Sequence, residues 1–381
     1  MSGDPDQEYF ADGMVEEIIT ALSRIRWLFV IARNSSFTYK GHSVDVKQVG
    51  RELGVRYVLE GSVRKAGQRV RITGQLIDAV TGAHLWADRF DGSLEDVFEL
   101  QDKVAVTVAG IVEPTLQAAE IRHSMGRPTN DLTAYDLYLR AIPHVHAHGK
   151  DGMIEALGLL GEAIEGDPQY GLALSLAALC RADLHIAGWI SDVESNRCNG
   201  VELARRALGS ASDDPAVLSR AAYALGCLDE DITTAIALAD QSLELNPSFA
   251  AGWINSGWLR LWAGQADTAI EHFMTSTRLN PRAPSPAASL GIGIGHFLAR
   301  RFAEAEVALL RSQQLFPGWV GPYRWLASCY THMGRFEEAR EIVERLKTIT
   351  PVLEPTIMPY RNPEHRELFL SGLRLAAGEP T

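Results

Sequence analysis

The sequence lacks paired cysteines. Its four cysteines, Cys180, Cys198, Cys227 and Cys329, include no C-x-x-C pair. Their spacing fits neither a zinc ribbon nor a disulfide-dense secreted scaffold. A chain of 381 residues can bury enough apolar surface to fold without a disulfide or a metal ion. We therefore expect each cysteine to be a small buried hydrophobic residue, and we expect no cofactor.

An excess of positive charge is also missing. The chain has 36 Lys and Arg against 48 Asp and Glu, which gives a net charge of −12. This balance argues against a large nucleic-acid interface and against an anionic membrane surface. We therefore expect no nucleic-acid partner.

Long apolar runs and a signal peptide are likewise absent from the sequence. No continuous apolar run approaches the roughly 20 residues of a membrane-spanning helix. The first ten residues lack the basic flank and apolar stretch of a signal peptide. The expected location is the cytoplasm, or the periplasm if an upstream part of a longer protein carries a membrane anchor. We expect no membrane insertion.

The first third of the chain mixes helical and strand patterns. Apolar residues recur at helical spacing over residues 8–24, and residues 45–53 form a second short helix that Gly54 ends. Between them, residues 27–32 are short, apolar and β-rich, which predicts a strand buried on both faces. A helix between two apolar strands is the pattern of a βαβ unit.

Beyond residue 55 the pattern alternates with a period of two. The segments on either side of residues 65–68 predict an antiparallel hairpin with one wet face, Thr81-Gly82 turns the chain again, and a long helix follows from Val97. Charged residues at alternating strand positions are expected to form cross-strand pairs on the wet face. These residues are Glu60, Arg64, Arg69, Arg71, Asp88 and Arg89.

The run GVRYVLEGSVRKAGQRVRITGQLIDAVTGAHLWADRFDG (54–92), with SGDPDQEYFADGMVEEIITAL before it, resembles the TolB amino-terminal-like (FlgO-like) domain. The resemblance implies a small α/β domain over residues 1–124, without catalytic residues. In bacteria this domain commonly precedes tetratricopeptide repeats in class III adenylate cyclases, and it also occurs in CadC-like transcriptional regulators. Family members usually open with an apolar strand before the SGDP-like segment. We expect that strand to be missing here, which would leave part of the helix at residues 8–24 exposed, at Phe10, Val15, Ile19 or Leu22.

The chain beyond the linker at residues 126–130 is helical and repetitive. Prolines follow successive helical runs at intervals of 47, 32, 34, 36 and 34 residues, and an interval near 34 is the tetratricopeptide period. Alanines lie at corresponding places, where two helices of a hairpin must approach closely: Ala156, Ala235, Ala269, Ala305 and Ala339. We predict an all-α solenoid over residues 131–377 of about six helical hairpins, closed by a capping helix at 363–377. The expected architecture is therefore α+β with two domains, the second a tetratricopeptide-repeat solenoid.

Two motifs could carry chemistry, and each has a simpler structural interpretation. His144, His146 and His148 could offer two imidazoles one helical turn apart, yet no local acidic or cysteine ligand completes a metal site. The glycines of Gly291–Gly295 lack the G-K-[ST] ending of a phosphate loop and more simply allow close helix packing. We expect no catalytic, cofactor-binding or metal-binding residues.

The inner helices of such a solenoid line a groove that recognises peptides. The inward positions are predicted to be Ile254, Trp258, Leu261, Phe297 and Arg324, while Trp258 could instead pack against a neighbouring repeat. By resemblance, the leading hypothesis is a non-catalytic regulatory module from the carboxyl region of a bacterial class III adenylate cyclase. Its partner would be a protein or peptide, which an upstream cyclase domain could provide. The alternatives are the sensory region of a CadC-like regulator and a metal-dependent enzyme using the His144 cluster.

Overall fold

The protein is described by a computed structural model that covers residues 5–40, 44–66, 69–93, 97–125, 133–147, 149–228, 231–280, 285–355 and 357–378. The chain forms two compact units, Met1–Glu120 and Ile121–Thr381. We call them unit 1 and unit 2. The boundary between them falls within a long helix, and the predicted linker at residues 126–130 lies outside the described residues.

Unit 1 is built from helices around a three-stranded antiparallel sheet with strand order β1-β2-β3. The Thr81-Gly82 turn is confirmed, because Gly82 has a φ of 80°, in the left-handed region that favours glycine. Gly54, with a φ of 66°, ends a helix as predicted. The elements are α1 (Pro5–Ser23), α2 (Arg33–Ser36), a 3₁₀ turn (Phe37–Tyr39), α3 (Val46–Leu53), β1 (Tyr57–Ala66), β2 (Arg69–Asp78), β3 (His84–Ser93) and α4 (Val97–Met125).

The sheet has one apolar and one polar face, as its alternating sequence predicts. Val70, Ile72 and Leu76 of β2 are buried in a core with side chains of α1 and α4. On the polar face Arg71 Nε lies 2.7 Å from Asp91 Oδ1, and Arg89 Nε lies 3.1 Å from Asp91 Oδ2. The predicted cross-strand pairing is thus confirmed for Arg71, whose partner Asp91 lies on β3, whereas the pair of Arg89 with Asp91 lies within β3.

The predicted strand at residues 27–32 is wrong. The segment is irregular, and the ring of Phe29 is 83% exposed, so it is not buried on two faces. A strand needs a neighbour to satisfy its backbone N–H and C=O groups. In the described part of the chain, the sheet contains only β1, β2 and β3, and its pairs are antiparallel. The expected βαβ unit is therefore not formed, and unit 1 is an α+β arrangement of helices and a hairpin sheet.

The two longest helices of unit 1 differ partly from expectation. On α1, Val15 is 38% exposed and Ile19 half-buried, whereas Phe10 and Leu22 are buried, so only part of the expected exposure is present. Helix α4 continues through Pro114. By length and hydropathy its segment Glu99–Met125 could cross a membrane, although half of the apolar window is buried within the protein.

Unit 2 contains six helical hairpins in succession and one further helix, within the ranges that the structure describes. We call the members of each pair the first and second helix. The pairs are α5 (Ala134–His146) and α6 (Lys150–Gly166), α7 (Gly171–Ile186) and α8 (Val193–Ser210), α9 (Pro215–Leu228) and α10 (Ile232–Leu245), α11 (Ala250–Trp262) and α12 (Ala266–Leu279), α13 (Pro286–Leu298) and α14 (Phe302–Leu315), α15 (Val320–His332) and α16 (Phe336–Ile349), followed by α17 (Pro363–Ala377).

Equivalent positions of the repeats make equivalent contacts. Trp253 Nε1 donates a hydrogen bond of 2.9 Å to Pro247 O, and Tyr323 Oη donates one of 2.8 Å to Pro317 O, with the same spacing of six residues. This correspondence explains why a large polar-tipped aromatic residue and a proline recur together. The alanines predicted at close helix approaches are fully buried: Ala156, Ala235, Ala269, Ala305 and Ala339.

The glycines of α13 serve packing, as predicted. A Cβ at Gly291 would overlap the ring of Phe273, one at Gly293 would lie 2.6 Å from Leu309 Cγ, and one at Gly295 would lie 2.6 Å from Ile270 Cγ1. The helix therefore approaches two neighbours more closely than any larger residue permits.

The cysteine prediction holds for three of the four. Cys180, Cys227 and Cys329 are buried and free, whereas Cys198 is exposed on α8. The Sγ of Cys198 lies 3.3 Å from Glu194 Oε1 one turn earlier, so this residue is part of a polar surface.

Candidate functional site

The histidine cluster is only partly described. His144 and His146 lie at the end of α5, and His148 lies outside the described residues. His144 Nδ1 is 2.8 Å from Glu155 Oε2 on α6, a carboxylate that the local sequence did not reveal. Among the described residues, no group of three or more His, Cys, Asp and Glu side chains is arranged to hold a metal ion.

The predicted groove residues divide into two groups. Leu261 and Phe297 have no exposed surface, so in this structure they are core residues with nothing to offer a partner. Ile254, Trp258 and Arg324 are half-buried. The ring of Trp258 makes an edge contact of 5.5 Å with Phe273 of α12, the second helix of the same hairpin, so this contact is packing within one repeat. A binding role for these three residues stays a prediction.

Aromatic rings pair between the first helices of successive hairpins in two places. Tyr223 of α9 lies 5.1 Å from Trp262 of α11, and Phe297 of α13 lies 5.1 Å from Trp325 of α15, measured between ring centroids. We call this side of the four helices the first-helix face. All four rings are buried, and flat rings at such distances bury a large apolar area with little conformational freedom to lose.

The carboxyl-terminal part of the chain lies on the first-helix face. Tyr360 makes an edge contact of 5.8 Å with Trp325, and Phe369 of α17 lies 4.0 Å from the same ring. Ser328 Oγ donates a 2.9 Å hydrogen bond to Phe369 O, and His332 Nε2 lies 2.7 Å from Leu368 O. Residues 357–378, which we call the C-terminal segment, are thus bound by α15.

The C-terminal segment also reaches earlier repeats. The backbone N–H of Arg361 donates a 2.7 Å hydrogen bond to Trp262 O, and its Nη2 donates one of 3.0 Å to Gly226 O. These carbonyls lie in the last turns of α11 and α9, where the helix dipole favours a cation. Arg361 itself stays exposed, whereas Tyr360 beside it is only 6% exposed.

A desolvated carboxyl lies at the edge of this region. Tyr223 Oη donates a 2.8 Å hydrogen bond to Asp183 Oδ1 of α7. Desolvation raises the pKa of Asp183 to about 6, against the lowering effect of that hydrogen bond. Desolvation, with Asp183 nearby, also raises the pKa of Tyr223 well above its usual range. The local sequence gave no signal for this pair, because the two residues are 40 positions apart.

No family model matches the chain. A protein of Rhizobium meliloti (strain 1021), which bears the name "Putative adenylate cyclase 3", is 44% identical over 216 residues, or 56% of this chain. The chain spans only 37% of that relative's length. The TolB-like resemblance of the first third therefore stays a prediction.

Solved structures resemble the chain in fold. A monomeric IFIT1 mutant with Gppp-AAAA has a TM-score of 0.52 at 13% identity, covering 67% of this chain and 57% of that one. A tetratricopeptide repeat protein of Thermus thermophilus has a TM-score of 0.39 at 20% identity, covering 52% of this chain and 99% of that one. A tetratricopeptide repeat protein of Parabacteroides merdae has a TM-score of 0.40 at 18% identity, covering 65% and 87%. The chain is mostly helical with a small three-stranded sheet, and its unit 2 is a succession of helical hairpins of the tetratricopeptide type.

Proposed function

We propose that this chain is a non-catalytic regulatory module that binds a protein or peptide on its first-helix face. The observation that carries the proposal is that this face already holds an extended segment of polypeptide, since Tyr360 packs against Trp325 and Arg361 hydrogen-bonds to Trp262 O and Gly226 O. Repeats of helical hairpins commonly present such faces to peptides. The proposal includes a TolB-like domain as the first region of the module.

The relative's name supports a cyclase as the setting. Since the chain spans 37% of that relative, the cyclase reaction would be performed by a part outside this chain. Purified chain incubated with ATP or GTP and Mg²⁺ or Mn²⁺ is expected to form no cyclic nucleotide. Cyclic nucleotide formation that is lost on substitution of a residue in this chain would contradict the proposal.

A chimera tests the regulatory role. This chain replaces the matching region of the Rhizobium meliloti relative, and cyclic AMP formation is measured. We expect Trp258→Ala with Arg324→Ala to change the rate at least about twofold, because anchor side chains dominate binding. Val307→Ala is the matched control, since Val307 is exposed on α14, a second helix. If deletion of the region and both variants leave the rate unchanged, the chain is not a regulator of this activity.

The same variants separate packing from binding. If Trp258 is a core residue, Trp258→Ala will lower the free energy of unfolding by about 3–5 kcal/mol, as deletions of buried aromatic residues do. If it is a binding anchor, the helical circular dichroism and the melting temperature will stay nearly unchanged. One thermal melt of Trp258→Ala decides between the two roles.

A further inference from the structure

The C-terminal segment does more than cover the end of the solenoid. A capping helix needs contacts only with the last hairpin, α15 and α16. Here Arg361 hydrogen-bonds to Trp262 O on α11 and to Gly226 O on α9, which belong to the fourth and third hairpins. The segment therefore extends along the first-helix face well beyond the repeat that it would have to cap.

The contacts are also of the kind that a bound peptide makes. Residues 357–362 form neither helix nor strand, and their anchor is Tyr360, buried beside Trp325. The polar contacts at this end go to main-chain carbonyl oxygens, which water can satisfy when the segment is absent. A face that holds an aromatic anchor and an arginine through such acceptors does not depend on one fixed occupant.

We propose that the first-helix face is a peptide site occupied in cis by the C-terminal segment. A partner with the same chemistry, namely an aromatic residue followed directly by arginine in extended backbone and then by an amphipathic helix, competes with the segment for this face. The inference rests on the proposed function and deepens it, because it names the kind of partner and the contact that the partner must displace.

The tether raises the effective concentration of the C-terminal segment at the first-helix face. A short tether gives the segment an effective concentration on the order of millimolar, so a free peptide of equal affinity binds poorly while the tethered copy is intact. Weakening the tethered copy exposes the site without changing the face itself. Tyr360 and Arg361 are the residues to replace, since Tyr360 is the buried aromatic anchor and Arg361 makes the contacts with the earlier hairpins.

The test uses the full chain and a fluorescein-labelled synthetic peptide of residues 357–378, with binding followed by fluorescence anisotropy. The protein variant Tyr360→Ala/Arg361→Ala is expected to bind the peptide at least about tenfold more tightly than the wild-type protein. A peptide carrying the same two alanines should bind this variant at least about tenfold more weakly. Arg366→Ala, an exposed arginine of α17, is the matched control and should behave as wild type.

Each outcome of the peptide-binding experiment either supports or contradicts the proposal. A folded double variant that binds the peptide no better than wild type shows that the segment is a fixed cap. Loss of helical circular dichroism in the single variant Arg361→Ala overturns the proposal as well, because the segment is then an obligatory part of the fold. The peptide assay does not depend on a cyclase, so a failed chimera experiment with successful peptide binding would remove the proposed function and leave this site standing.

Discussion

Units 1 and 2 bury their apolar surfaces in different ways. Unit 1 covers one face of a single sheet with two helices and leaves the other face to charged pairs such as Arg71 and Asp91. Unit 2 spreads its core over many helix contacts, several of which are made close by a buried alanine or glycine. In unit 2 the small residues of the sequence therefore determine how closely the helices approach one another. In unit 1 the fold depends instead on which strands lie next to each other.

The largest expected effect compares one phenylalanine from each unit. Phe273→Ala should lower the free energy of unfolding of unit 2 by about 3–5 kcal/mol, because the ring is fully buried between α11, α12 and α13. Phe29→Ala should change the stability of unit 1 by less than about 0.5 kcal/mol, because its ring is 83% exposed. Urea unfolding of both variants measures the contrast. Equal losses would mean that the Phe29 side chain packs against the rest of unit 1.

The next effect compares two glycines within unit 2. Gly291→Ala should destabilise the protein by about 1–3 kcal/mol, since the added Cβ overlaps the Phe273 ring. Gly158→Ala is the matched control in α6, where a Cβ would meet nothing within 4 Å, and should stabilise by about 0.5–1 kcal/mol. Thermal melts of the two variants should shift in opposite directions. If both variants shifted the melting temperature in the same direction, close helix approach would not determine the stability of unit 2.

Only part of this fold could be predicted from the sequence. The hairpins and the capping helix at 363–377 were predictable, because proline, alanine and glycine act on neighbouring turns and on the adjacent helix. The absence of a strand at residues 27–32 was not predictable, because an apolar run says nothing about whether another strand lies beside it. The docking of Arg361 against Gly226 was equally hidden, since the two residues are 135 positions apart and no local pattern links them.

A third prediction concerns the carboxyl of Asp183. Below about pH 4 it is protonated in both the folded and the unfolded chain, and between about pH 4 and 6 only the folded chain keeps the proton. The folded state then binds more protons, so the free energy of unfolding falls as pH rises through this window.

Asp183→Asn removes that dependence. At pH 8 the variant should be more stable than wild type by about 1–2 kcal/mol, and its stability should vary less between pH 4 and 6. Glu202→Gln, at an exposed carboxyl of α8, is the control and should leave the pH profile unchanged. A profile for Asp183→Asn that follows wild type would show that this carboxyl is solvated.

The smallest expected effect is in unit 1, at a carboxyl whose pKa is lowered rather than raised. The hydrogen bond and charge of Arg71 lower the pKa of Asp91, so its contribution is present above about pH 4 and is lost as pH falls through the folded-state value. Asp91→Asn should therefore cause only a slight loss of stability at pH 7, because exposed ion pairs contribute little and salt screens them. Melts at low and high salt check this expectation. A large loss that salt leaves unchanged would contradict it.

The hydrogen bond from Arg361 to Gly226 has a consequence for how the repeats unfold. In an open array, each hairpin touches only its neighbours, so the ends can fray while the middle persists. This hydrogen bond joins the third hairpin to the end of the chain and makes hairpins three to six members of one closed loop. Fraying at the carboxyl end must then break contacts in the middle of the array. Hydrogen exchange should accordingly report one cooperative opening of these four hairpins, with the first two exchanging separately.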